Sequence, residues 1–152
     1  IVFFRHLRKV MNDDDLLFIG FDLQKDPRVI LAAYDDAAGV TAEFNLNLLR
    51  RINRELGANF DLGNFSHYAV YRRTECAARS FLISRERQTV FINALKQNFS
   101  FKQWEPIFME ISQKYNLEMI EELASASGFR VRQNFFDSSK YFVDSLWSVS
   151  SP

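Results

Sequence analysis

The stretch DDDLLFIGFDLQKDP, Asp13 to Pro27, decides the fold class. Leu16 to Phe21 is an unbroken run of apolar or small residues with acidic residues on both sides. Such a run reads as a strand buried on both faces, the habit of a parallel sheet. Upstream, IVFFRHLRKV puts Val2, Phe3, Leu7 and Val10 near one helical face. Downstream, Asp26 is suited to N-cap a helix whose first residue is Pro27. Val29, Ile30 and Ala33 supply the apolar stripe of that helix. Helix, buried strand, helix is the α/β pattern.

The next segment, AYDDAAGVTAEFN (33–45), reads as a helix end, a flexible Ala-Ala-Gly turn and a Thr41 cap. Its two aspartates are turn and capping residues on this reading. The second helix carries Phe44, Leu48, Leu49, Ile52 and Leu56 as its stripe, and Gly57 is its stop. After Gly57 the texture changes. NFDLGNFSHYAVYRR looks turn-rich, and AARSFLISRERQTVFINAL reads as two short strands around an Arg-Glu-Arg turn. EPIFMEIS is a further strand. SQKYNLEMIEELASASGF is a helix with Leu117, Ile120, Leu123 and Ala124 along one side and Gly128 at its end. FRVRQNFF and YFVDSLWSV then form a hairpin through DSSK. The ends therefore read as pieces of one α/β sheet. Residues 25–112 read as a helical pair plus an antiparallel ribbon inserted between them.

Composition narrows the function classes. The 152 residues include 19 basic and 19 acidic side chains, a formal balance of zero. Nucleic acid or an anionic membrane as main partner usually needs a basic excess. The single cysteine, Cys76, makes no intrachain disulfide, which suits a reducing, cytoplasmic setting. No apolar run approaches the roughly 18–20 residues that span a bilayer. The chain opens on Ile1, already inside a helical pattern, so it is expected to continue a longer protein.

Few residues carry recognisable chemistry. The only histidines, His6 and His67, are far apart and lack neighbours at metal-ligand spacing, so no metal site is expected. There is no nucleophile elbow, and Cys76 has basic neighbours but no partner base. The five scattered glycines form neither G-x-G-x-x-G nor G-x-x-x-x-G-K. Two features remain. Asp22 and Asp26 follow the buried strand, where open α/β sheets bind ligands; Asp26 also serves as a helix cap, and Asp22 suits a bond to a neighbouring loop. In FMEIS, strand alternation puts Phe108, Glu110 and Ser112 on one face and Met109 and Ile111 on the other. A carboxylate, a hydroxyl and an aromatic ring on one face suit a ring with N–H groups, such as imidazole. An ordinary solvent face carries the same residues.

The blocks LLFIGFDLQKD, VILAAYDDAAGVTAEFNLNLLRRINRELGANFDL, the F-x-H-Y pattern at Phe65 to Tyr68, and EISQKYNLEMIEELASASGF together resemble the C-terminal half of the histidine-specific, S-adenosylmethionine-dependent methyltransferases. This family includes the ergothioneine-pathway enzyme that trimethylates histidine. The resemblance runs from Phe4 to Trp147. It implies the C-terminal portion of a Rossmann-like class I methyltransferase with an inserted α+β substrate domain. Residues 1–24 and 113–152 would belong to the methyltransferase sheet, and 25–112 to the substrate domain.

By the same resemblance Tyr34 corresponds to the residue that binds the substrate carboxylate, and Glu110 and Ser112 to the pair that holds the imidazole. Cys76, in TEC, falls where the family has a pocket methionine, a departure from its pattern. The implied reaction is in-line transfer of a methyl group to the α-amino nitrogen, driven mainly by positioning. No residue of this chain is singled out as a catalytic acid or base. The family's cofactor loop is not among these residues, so this polypeptide by itself is expected neither to bind S-adenosylmethionine tightly nor to turn over. Its expected partners are an amino-acid substrate and the N-terminal half of the same protein. The alternatives are a relative acting on another amine or an indole amino acid, or a non-catalytic binding module.

Overall fold

The computed structural model describes residues 1–150. Along the chain the elements are α1 (Val2–Val10), β1 (Leu16–Asp22), α2 (Pro27–Tyr34), α3 (Val40–Leu56), β2 (Phe65–Arg72), β3 (Ala77–Ser84), β4 (Gln88–Ile92), β5 (Gln97–Phe101), β6 (Pro106–Gln113), α4 (Leu117–Ala126), β7 (Phe129–Phe136) and β8 (Phe142–Val149). Short 3-10 turns cover Leu62–Asn64 and Asn93–Leu95. They divide into two compact units, Ile1–Lys25 with Gln113–Pro152, and Asp26–Ser112.

The first unit is a three-stranded sheet in the order β1-β8-β7, with helices α1 and α4. Both strand pairs are antiparallel, Leu16 facing Ser148 and Asp22 facing Phe142 across β1 and β8. The expected parallel pairing is reduced to one isolated bridge, Leu23 to Tyr115. Nor is β1 buried on both faces. Phe21 is in the core and Leu17 and Ile19 pack against it, while Leu16 and Phe18 are 58% and 60% exposed. Double burial needs a layer on each face, and on the other face Phe18 stays largely exposed, its ring T-shaped to that of Phe135.

The core of this unit is built around Trp147, which is fully buried. Its ring stacks on Phe21 at 5.8 Å and touches Phe4 and Phe129. The indole N–H donates to Ser145 Oγ at 2.7 Å, so its one polar atom is satisfied. This selects the inward face of α1. Phe4 and Met11 pack on the core, whereas Val2, Phe3 and Val10, expected to share the buried stripe, are exposed. The helix is apolar on two sides, and the side that reaches Trp147 is the buried one.

Helix α4 runs as expected, with Ile120 and Ala124 fully buried, although Leu117 is exposed. Gly128 follows it with φ of 85°, a conformation that favours glycine. Its start is capped by the Asn116 side chain, which accepts from the Met119 N–H at 2.8 Å. Asn116→Ala should lower unfolding stability by about 1 kcal/mol, read as a shift in the denaturant midpoint at unchanged slope. The β7–β8 hairpin turns on Asp137, whose carboxylate accepts the N–H groups of Ser139, Tyr141 and Phe142.

The second unit holds α2, α3, a three-stranded sheet β2-β3-β6 and the hairpin β4-β5. Its core is Leu49, Phe60, Phe65, Leu82, Val90 and Ile92. The segment read as turn-rich contains a full strand, β2, paired with β3 from Phe65–Ser84 to Arg72–Ala77. Its inward positions, Phe65 and Ala69, are spaced by four, so simple alternation does not reveal it. The strands either side of Arg-Glu-Arg exist but do not pair with each other: β3 lies between β2 and β6, and β4 pairs with β5. The buried face of α3 is also rotated. Asn45 and Leu49 are buried, while Phe44, Leu48 and Leu56 are exposed.

Candidate functional site

Helix α2 starts where Asp26 and Pro27 predict. The Asp26 carboxylate accepts the Arg28 N–H at 2.9 Å and pairs with its guanidinium. The side-chain and backbone hydrogen bonds from Arg28 hold its pKa at about 2. The helix ends at Tyr34, and the Asp35 N–H closes on the Leu31 carbonyl. The N-cap position of α3 is Gly39, not Thr41, and the first N–H groups of the helix are met by Asp36. Its two carboxylate oxygens accept the N–H groups of Val40 and Thr41, each at 2.9 Å, which holds its pKa at about 2. Gly39 makes the reversal at φ of 71°, and Thr41 Oγ1 donates back to the Ala33 carbonyl. The two helices are thus locked to each other through a single short loop.

That loop leads to a buried polar contact. His67, on β2, has its Nε2 2.8 Å from the Tyr34 carbonyl and its Nδ1 3.2 Å from Asn45 Nδ2. A carbonyl only accepts, so Nε2 carries the proton; Nδ1 then accepts from the Asn45 amide. One neutral tautomer satisfies both bonds. Asn45 is only 2% exposed, so its amide needs this partner.

Asn45 also lines a hollow of about 320 Å³ with Phe44, Asn47, Leu48, Arg51, Met109 and Glu110. That volume is at the low end of small-molecule sites, roughly 300–1,000 Å³. Arg51 is paired with Glu55, so Glu110 is the carboxylate the hollow offers. Its Oε1 accepts from the fully buried Ser80 hydroxyl at 3.1 Å. A carboxylate has acceptor positions beyond the one that Ser80 fills. Met109 and Glu110 line the same hollow, so strict alternation along β6 fails between them.

The expected residues separate into two groups. Glu110 lines the hollow; Tyr34 is not among its walls, and its backbone carbonyl is linked through His67 to the wall residue Asn45. Ser112 is half-buried farther along β6 and is not among the walls of that hollow. Cys76 is in the β2–β3 turn at φ of 50°, its thiol donating to the Arg73 carbonyl at 3.2 Å. Asn45, His67 and Ser80 were not singled out from the sequence. For Asn45 a signal existed: a polar residue four positions before Leu49, on the face that α3 buries.

Asp22 lies in a cluster of ion pairs. At the end of β1 it is bracketed by Lys25 and Lys114, each at 2.6 Å. Lys25 also lies 4.9 Å from the centre of the Tyr141 ring. Burial pushes the Asp22 pKa up, and the hydrogen bonds and charges of Lys114 and Lys25 outweigh it, leaving it below the usual value. Among the described residues, no group of three metal-ligating side chains comes together, and no helix is long and apolar enough to cross a membrane.

Comparison with known proteins bears on this geometry. A family described as "Histidine-specific methyltransferase, SAM-dependent" matches residues 1–149. A "Histidine N-alpha-methyltransferase" of Mycobacterium tuberculosis is 40% identical over 131 residues, 86% of this chain and 41% of that protein. The protein of the same name from Mycolicibacterium smegmatis is 41% identical over 125 residues, 82% of this chain and 39% of its own length. "Ergothioneine biosynthesis protein 1" of Schizosaccharomyces pombe is 27% identical over 130 residues, 85% of this chain and 17% of that protein. The chain thus spans about two fifths of the two bacterial relatives.

Proposed function

Because the chain belongs to the histidine-specific, S-adenosylmethionine-dependent methyltransferase family, we propose that the whole protein methylates the α-amino group of L-histidine, as in the route to trimethylhistidine and ergothioneine. The observation that carries this reading is Glu110, held by buried Ser80 at a hollow with apolar and amide walls. A carboxylate so fixed accepts an imidazole N–H and leaves an aliphatic side chain unmatched, whereas an indole offers one N–H but no second ring nitrogen. Ser112 supplies a hydroxyl for the other ring nitrogen, and Tyr34 binds the substrate carboxylate. Cys76 stands in the family's methionine position at the pocket edge. On this reading residues 25–112 are the substrate domain. The flanking unit is the C-terminal portion of a Rossmann-like sheet; β8 inserted antiparallel between β1 and β7, with α4 leading into the hairpin, supports it.

The cofactor would supply the methyl group. The described residues do not fit it. A Cβ at Gly20 would meet the Phe142 ring at 2.5 Å, one at Gly128 would meet Arg8, and Gly57 ends α3. These glycines serve local packing and turns, and they leave no backbone cradle for S-adenosylmethionine. We therefore derive no step through the cofactor and assign its loop to the remainder of the whole protein, as its N-terminal half.

What this chain contributes is binding and orientation. Fixing the substrate at ring and carboxylate leaves its amino group one direction to face, and alignment of this kind is worth up to roughly 7–11 kcal/mol of a barrier. The whole protein, given the methyl donor, should convert histidine to N-methylated products by mass spectrometry and leave tryptophan unchanged. Equal turnover of tryptophan would reject the imidazole site, and no turnover of either would favour a binding module.

A further inference from the structure

We infer that His67 is a positioning residue: bonded at Nε2 to the Tyr34 carbonyl and at Nδ1 to the Asn45 amide, it fixes the end of α2 against the α3 wall of the Glu110 hollow. The inference rests on the proposed reading, in which Tyr34 binds the substrate carboxylate.

The geometry makes three demands that one imidazole meets. Tyr34 is the last residue of α2, and the carbonyls of a final turn have no partner within their helix. Helix α2 has eight residues, too few to hold its own shape in water, so its end must be pinned from outside. Asn45 brings a buried amide that needs an acceptor. His67 donates to the Tyr34 carbonyl at 2.8 Å, pinning the helix end, and accepts from the Asn45 amide at 3.2 Å. A lysine or arginine only donates, and an ionised carboxylate only accepts. Among side chains of similar reach, a neutral imidazole joins a carbonyl to an amide N–H through one rigid ring. The two substrate-facing residues, Tyr34 and Glu110, are set by different elements, α2 and β6. His67, on β2, and Asn45, on α3, add a side-chain link from the Tyr34 end of α2 to the wall of the Glu110 hollow, beside the Thr41–Ala33 bond of the loop. The distance between the carboxylate anchor and the ring anchor, and so the length of substrate accepted, follows from this pair of bonds.

The test compares histidine with histamine, which has the ring and amine but no carboxylate, in the whole protein. The readout is the ratio of their kcat/KM values, which does not depend on the fraction of protein folded. Tyr34→Phe should lower the ratio. His67→Asn keeps an acceptor near Asn45 but cannot reach Tyr34, and it should lower the ratio by about tenfold, the scale of one hydrogen bond. His67→Gln, whose amide N–H can reach the position of Nε2, should restore most of it. The double variant His67→Asn/Tyr34→Phe should lose less than the product of the two. Should His67→Asn fail to fold, His67→Ser removes both bonds and carries the same comparison. A lowered ratio in Tyr34→Phe with an unchanged ratio in His67→Asn, or in His67→Ser, would overturn the positioning role and leave the functional reading intact. An unchanged ratio in Tyr34→Phe would sink the carboxylate role of Tyr34, and this inference with it.

Discussion

Glu110→Ala in the whole protein should lower kcat/KM for histidine by about 10–10²-fold, the scale of a lost hydrogen bond to a charged group. Ser80 is fully buried and donates to Glu110 Oε1. Removing the carboxylate deprives that hydroxyl of its acceptor and the imidazole N–H of its partner at one stroke. The loss should appear in KM and kcat together, because a ring free to turn also misaligns the amino group. Glu110→Gln keeps the shape and one acceptor oxygen, so it should recover part of the loss. Ser80→Ala should cost less than either, since it loosens the carboxylate without deleting it. Steady-state kinetics with histidine check all three. Unchanged histidine turnover in Glu110→Ala would make Glu110 a surface carboxylate.

What the sequence discloses and what it hides follow from the range of the interactions. Caps and turns are local, so Asp26, Gly57, Gly128 and the Asp137 hairpin are readable from a few neighbouring letters. The choice of buried face is not local. Phe4 turns inward because Trp147, far along the chain, offers it a ring. Asn45 turns inward because His67 supplies an acceptor. Strand partnership is equally remote, which is why β3 and β4 look like a hairpin and are not one. The antiparallel edge pairing of β1 is hidden for the same reason: an apolar run states how much a strand can bury, not which neighbours bury it. In the candidate site, Glu110 and Tyr34 stand out as letters in a family pattern. Ser80 shows no signal, because a serine in a strand says nothing until its neighbour is known.

The other large effect belongs to Asp22. Asp22→Asn should destabilise the protein by about 3 kcal/mol, at the low end of the cost of breaking a buried ion pair. The asymmetry of burial sets this expectation. The Lys114 side chain is 1% exposed, while that of Asp22 is 35% exposed. Neutralising Asp22 takes the carboxylate at 2.6 Å away from a buried ammonium; the third of Asp22 that meets water reduces the loss. Removing the other partner is a different matter. In Lys114→Met the aspartate keeps Lys25 at 2.6 Å and its contact with water, so the cost should be clearly smaller. The double variant Asp22→Asn/Lys114→Met should recover part of the loss, because the buried Lys114 charge then leaves with its counter-charge, while Lys25 still lacks Asp22. Acid provides a second readout. The lysines hold the Asp22 pKa below its ordinary value of 3.8. Its contribution is therefore fully present above that value and is lost as pH falls through the lowered one. Asp22→Asn should show a shallower loss of stability in that acid range. Denaturant unfolding of the four proteins at neutral and acid pH decides it. If Lys114→Met costs as much as Asp22→Asn, the lost counter-charge is not the cause, and packing of the lysine stem is.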